Sequence, residues 1–347
     1  MKKFDFIIGN PPYQTETVGE QKTFAKPIYN YFIDETYKIC DHVELIHPAR
    51  FLANAGSTPK AWNEKMLNDD HLKLMLYEPN SENIFPGLAT PIKGGIAITY
   101  HDSTKRFEPI GTFTATSEIE TMLQKVLNHP EFSSFSDIVV TRTAYHFTEI
   151  MHRENPDAVN LLSKGHSYDV STNVFDRLPH IFFDEKPNDN KDYIQILGRI
   201  NNVRCLKYVR RDYIVPVANL DFYKLMMPSA NGSGRFGETL TTPIIGEPAV
   251  GSTETFISIG KFRTKKEAIN AEKYVDSKFC RTLLGILKVT QHLTPDTFRN
   301  VPLQSFTSSS DIDWTKSVSD IDKQLYKKYK LTKEEIDFIE THVKEMN

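Results

Sequence analysis

Cysteine is scarce: Cys40, Cys205 and Cys280 are the three in 347 residues, and they lie far apart. That spacing excludes a disulfide framework and a cysteine-ligated zinc site. No apolar run approaches the roughly 20 residues that span a bilayer, so no membrane partner is expected. No leader pattern opens the sequence, and the expected location is the cytoplasm. Net positive charge is also missing. With 42 Lys and Arg against 45 Asp and Glu, the formal net charge is -3. Any surface for nucleic acid must therefore be local. The histidines show no metal-ligand spacing, H-E-x-x-H is absent, and no metal is expected. Internal repeats and low-complexity tracts are absent too. What remains is 39% hydrophobic and 25% charged, the texture of a globular protein long enough for two cores.

The most informative stretch is near the start. Phe4-Asp5-Phe6-Ile7-Ile8-Gly9 reads as a buried strand. Asn10-Pro11-Pro12-Tyr13 follows directly. Two prolines fix φ at successive positions and remove two backbone donors, and Pro11 drives Asn10 into an extended conformation. The result is a stiff bend at the carboxyl end of a strand, where open α/β sheets bind ligands. The Asn10 side-chain carbonyl and the Pro11 main-chain carbonyl are acceptors with few local competitors. Held side by side, they suit a planar amino group. Tyr13 adds a ring on which a base can stack. Catalysis by such a bend is positioning and electrostatics.

Strand and helix patterns alternate after the bend. Lys26 to Ile39 has helical spacing, Val43 to Ile46 reads as a strand, and residues 59–70 form a helix with Trp62, Met66 and Leu67 on one face. Leu72 to Tyr77 and Gly94 to Tyr100 are further strands. This order implies an α/β sheet.

F-I-I-G-N-P-P-Y, then L-I-H-P-A-R-F-L, then N-I-F-P and I-K-G-G-I-A-I-T-Y, resembles the adenine-specific DNA methyltransferases of restriction–modification systems, most closely the Eco57I-type and TaqI-type modification enzymes. The likeness covers about the first 105 residues. It implies transfer of a methyl group from S-adenosylmethionine (SAM) to N6 of a flipped adenine. Asn10 and Pro11 would bind the adenine amino group, Pro12 would complete the motif, and Tyr13 would stack on the base. Tyr100, ending the last strand, would pack the other face. The implied fold is α/β: a partial Rossmann-like SAM methyltransferase sheet followed by an α+β target-recognition domain.

In that family a glycine-rich SAM turn lies well before N-P-P-Y, and nine residues precede Asn10 here. The chain thus resembles the second half of such a catalytic domain, and three readings stay open: a fragment, a split enzyme whose SAM-binding half is a separate chain, or a degenerate reading frame; weak SAM binding is expected of this chain alone. Gly232 to Gly237 matches G-x-G-x-x-G, but neighbouring prolines deny it the strand-before, helix-after setting. It reads as a flexible DNA-contacting loop.

A helix over 117–127 closes the first part. The expected domains are 1–135, the methyltransferase half; 136–306, a TaqI-like recognition domain; and 307–347, a helical tail. The middle part carries strands at Tyr193 to Leu197, Val203 to Val209 and Tyr213 to Pro216, interleaved with basic residues. Arg210, Arg211, Arg235, Lys261 and Arg263 are the candidate contacts to double-stranded DNA. Capping boxes at Thr264 and Thr332 should start helices, the first running through Ile286. The competing reading is a DNA specificity module without catalysis. A protein-glutamine methyltransferase, which also uses N-P-P-Y on an amide, fits the long remaining chain poorly.

Overall fold

The computed structural model describes residues 3–15, 25–54, 57–88 and 90–346. Two compact units emerge: residues 1–121 with 286–290, and residues 122–285 with 291–347.

The first unit is built on β1 (Phe4–Gly9), α1 (Tyr29–Ile39), β2 (Cys40–Pro48), α2 (Lys60–Leu67), β3 (Leu72–Glu78) and β4 (Ile96–Asp102). The strands form one sheet in the order β1-β2-β4-β3. β1 and β2 run parallel, as a strand–helix–strand crossover requires. β4 is antiparallel to both its neighbours. Val43 and Leu45 of β2 and Leu72 of β3 point to one face. There they pack with Tyr29 and Ile33 of α1 and with Trp62 and Met66 of α2. The other side of β1 is open. Phe4, Phe6 and Ile8 are 55%, 64% and 78% exposed, and among the described residues β1 pairs with β2 alone. A strand apolar on both faces belongs inside a parallel sheet rather than at its rim.

The division between units falls within α3 (Ser117–Leu127). Beyond it come β5 (Val139–Val140), α4 (Glu149–Glu154), α5 (Ala158–Leu161), α6 (Val174–Arg177), β6 (Tyr193–Ile200) and β7 (Val203–Arg210). Then follow β8 (Tyr223–Pro228), β9 (Ile244–Gly246), β10 (Val250–Ser252), β11 (Phe256–Phe262), α7 (Lys265–Asp276), α8 (Lys278–Leu287), α9 (Val318–Lys328) and α10 (Lys333–His342). They make a three-stranded sheet β10-β6-β7 and a four-stranded sheet β5-β11-β8-β9. The protein is thus a mixed α/β chain with several small sheets.

Two expectations differ from what forms. Residues 213–216 are not a strand: Tyr213 ends a single 3-10 turn, and Ile214 makes one isolated bridge, to Phe147. The helix expected from Thr264 through Ile286 is broken at Ser277, whose backbone is extended. The Asp322 carboxylate accepts the N–H groups of Lys278 and Phe279 at 3.1 and 2.9 Å and starts a new helix there. Thr264 does cap α7, accepting from Glu267 N at 3.2 Å. At Thr332 both halves of the capping box form.

Candidate functional site

Residues 10–13 leave the sheet where Gly9 pairs with Leu45 of β2. The far end of the bend is fastened as well: Ile28 N donates to the Tyr13 carbonyl at 3.1 Å, and Thr15 N to the Lys26 carbonyl at 2.9 Å. The bend lines a cavity of about 700 Å³ with Asn10, Pro11, Pro12 and Tyr13 all on its wall. That volume lies within the range of small-ligand sites. The Pro11 carbonyl accepts no hydrogen bond among the described residues, so it is available to a ligand. The Tyr13 hydroxyl is buried without a hydrogen bond. Burial pushes its pKa up to about 12, with the adjacent Asn10 side chain offsetting part of the rise. Tyr13 therefore acts as a neutral aromatic plane packed on the core, and nothing prepares its oxygen as a base.

The opposite wall comes from the loop between β3 and β4. Phe85 lies on it, in a turn held by Ser81. The Ser81 carbonyl accepts from Phe85 N at 2.8 Å and its hydroxyl from Ile92 N at 2.8 Å. The loop returns to β4 through Gly94 and Gly95, both with positive φ. A Cβ on Gly95 would collide with the Glu78 carbonyl, and one on Gly94 would sit 2.7 Å from Cγ of Arg50. Glycine is required at both positions by backbone and by space.

Tyr100 is not on the wall. β4 is antiparallel to β2, so its beginning, Ile96, lies beside Pro48 near the bend, while Tyr100 pairs with Glu44. Four residues of strand carry it roughly 13 Å from Ile96. Its hydroxyl is engaged with Asp102 and His42, each at 3.2 Å. Phe85, from the β3–β4 loop, is an aromatic residue that lines the cavity with Tyr13. The I-F-P tripeptide carried the signal, but a residue in a turn outside any regular element has no periodicity to reveal its direction.

Arg50 and Lys93 also reach the cavity and were missed. Arg50 follows β2 directly, and its Nε donates to the Lys93 carbonyl at 2.6 Å. Burial lowers its pKa, countered in part by Tyr29. His47, beneath this wall, is buried between Tyr29 and Phe51. Burial pushes its pKa down to about 4. Its ring nitrogens meet the Pro48 carbonyl at 3.2 Å and the Thr99 hydroxyl at 2.8 Å. It is a neutral core histidine that sets the end of β2.

In the second unit the basic candidates separate into two kinds. Arg210 is paired with Glu154 and with Asp212 at 2.6 Å, and lies over the Tyr213 ring. Arg211 is paired with Asp221 and with Asp192 at 3.7 Å. Both are committed to internal ion pairs. Arg235, Lys261 and Arg263 are exposed. Lys261 lies 4.6 Å from the Phe222 ring centroid.

The glycine segment 232–237 is pinned rather than flexible. The Glu238 carboxylate accepts from Ser233 N, Ser233 Oγ and Gly234 N at 2.7 to 2.8 Å. Lys344 N donates to the Gly237 carbonyl at 3.0 Å. No helix opens there, and amides that could cradle an anion already hold a carboxylate. This segment does not fit SAM.

Comparison with known proteins adds one sequence match. Residues 1–85 match the family model of the Eco57I restriction-modification methylase. That family generally uses SAM. No curated protein sequence matches the chain. Among solved structures, the type IIG restriction endonuclease BpuSI is similar at 9% identity and a TM-score of 0.31, over 92% of this chain and 50% of that one. The type IIL restriction-modification enzyme MmeI, solved in complex with DNA, is similar at 10% identity and a TM-score of 0.40, over 97% and 56%. The chain spans about half the length of each.

Proposed function

We propose that this chain is the base-holding half of a site-specific DNA adenine-N6 methyltransferase, the modification component of a restriction–modification system. The observation that carries the reading is the rigid Asn10–Tyr13 bend lining a cavity of about 700 Å³ to which Phe85 of the β3–β4 loop also contributes. The Asn10 and Pro11 oxygens accept the two protons of the adenine amino group. Their partial negative charges stabilise the positive charge that develops on N6 as its lone pair is used in in-line attack. Tyr13 and Phe85 take the two faces of the extruded base. Bound SAM would supply the methyl group. No described residue set fits it, so the cofactor-holding portion is assigned to a segment outside the described residues, on this polypeptide or another. The uncovered edge and face of β1 support that assignment. They are apolar, and they border the strand that carries the bend. The first four strands, in the order β1-β2-β4-β3 with β4 antiparallel, then form one half of a Rossmann-like sheet. The second unit contacts duplex DNA, with Arg235, Lys261 and Arg263 on phosphates.

The test is Asn10→Ala, assayed for methyl transfer to DNA with the complementing cofactor-binding polypeptide present. Loss of a preorganised hydrogen-bond acceptor should cut the rate by about 100-fold or more with an unchanged melting temperature. Full activity would remove the bend from the chemistry. Salt-dependent duplex binding with no methylation under any complementation would favour the specificity-module reading.

A further inference from the structure

Arg50 is a partly buried cation without an acid. Its Nε is held by the Lys93 carbonyl at 2.6 Å. Its aliphatic stem lies against Gly94, where any Cβ would approach Cγ to 2.7 Å. Two constraints therefore fix its direction at the cavity wall. The charged lining residues are Arg50 and Lys93, and no aspartate or glutamate lines the cavity among the described residues. Arg50 makes no ion pair with any of them. Burial costs this guanidinium part of its hydration, and among the described residues the Lys93 carbonyl and Tyr29 offset it while no carboxylate does. Arg210 of the second unit, by contrast, has carboxylates, and Arg281 has three backbone carbonyls. A pre-aimed guanidinium without a carboxylate is the arrangement that an anionic ligand completes.

We infer that Arg50, assisted by Lys93, is a phosphate subsite that holds the phosphodiester of the extruded nucleotide beside the base cavity. The inference rests on the base-holding reading and deepens it. The cavity recognises a nucleotide, with base and phosphate read by different walls. Asn10, Pro11, Tyr13 and Phe85 take the base. Arg50 and Lys93 take the backbone that must swing with it. Gly94 is then needed because a side chain there would displace the arginine stem.

The experiment measures binding of three probes to the full chain by NMR titration at low salt: deoxyadenosine, deoxyadenosine 3′,5′-bisphosphate and inorganic phosphate. The bisphosphate should bind roughly tenfold tighter than the nucleoside, the gain expected of one charge-assisted pair. Arg50→Met should abolish that gain while leaving nucleoside binding unchanged, and Arg50→Lys should restore part of it. Asn10→Ala should weaken both nucleoside probes and leave the ratio intact. Equal affinity of the wild-type chain for nucleoside and bisphosphate overturns the subsite, whatever the variants do. So does inorganic phosphate binding as tightly as the bisphosphate, because the site would then owe nothing to the adjoining base wall. If the gain is present but Asn10→Ala changes nothing, the phosphate subsite stands and the base-holding reading fails. If neither probe binds, both fall.

Discussion

Enclosed polar groups of the two units can be compared by what meets them. In the second unit Lys224, Arg210 and Glu238 each have their complement within the fold. Lys224, fully buried, donates to the carbonyls of Asn219, Leu220, Phe222 and Glu247 at 2.8 to 3.2 Å. Arg210 has two carboxylates and a ring. Glu238 has the glycine amides. In the first unit Arg50 is directed at a cavity with no acid on its described wall, and the Pro11 carbonyl beside it accepts nothing from the described residues. Polar groups satisfied internally hold a fold together. Polar groups held rigidly and left unsatisfied await a ligand.

The contrast can be broken most severely at Lys224. Replacing it with Met should destabilise the protein by about 3 kcal/mol or more, because buried carbonyls lose their donor. Chemical denaturation checks this. A change below about 1 kcal/mol would mean the cage is dispensable. Burial pushes the Lys224 pKa down to about 8, so the ammonium still carries its charge at neutral pH.

A test of nearly equal size uses acid. His47 titrates at about 4 in the folded chain and near 6.5 when unfolded. Between those values the unfolded chain binds the extra proton. The contribution is therefore complete above pH 6.5 and is lost as pH falls towards 4. Its full extent is roughly 3 kcal/mol. His47→Gln should flatten the stability profile across that window. An unchanged slope would show that His47 does not hold its neutral form in the core.

The smallest effect, and the one that sharpens the first unit's side of the comparison, is at Phe85. Phe85→Ala should weaken binding of an adenine-containing single strand by about 1–3 kcal/mol, the worth of one stacked base, with little change in melting. Tyr100→Ala should leave that affinity alone. A reversal of the two results would return the second stacking role to Tyr100.

How far the sequence revealed this depends on the range of the interaction involved. The strand Phe4–Gly9 and the bend after it are set by neighbouring residues, and α3 and the Thr332 cap are likewise local. Tyr100 was misplaced because its position depends on the direction of β4, which two loops and a second strand decide. Arg210 looked free because Glu154 lies 56 residues away in sequence. The break before α8 depends on Asp322, more than 40 residues on. Arg50 stood in plain view within H-P-A-R-F-L, but the emptiness of its surroundings is a property only of the folded chain.

The rim of β1 also dictates how the polypeptide behaves in a test tube. Phe4, Phe6 and Ile8 offer water three greasy steps beside a row of unsaturated amides. Concentrated on its own, such a molecule will stick to its copies. A low yield of soluble material would then report this uncovered strand rather than a misfolded chain.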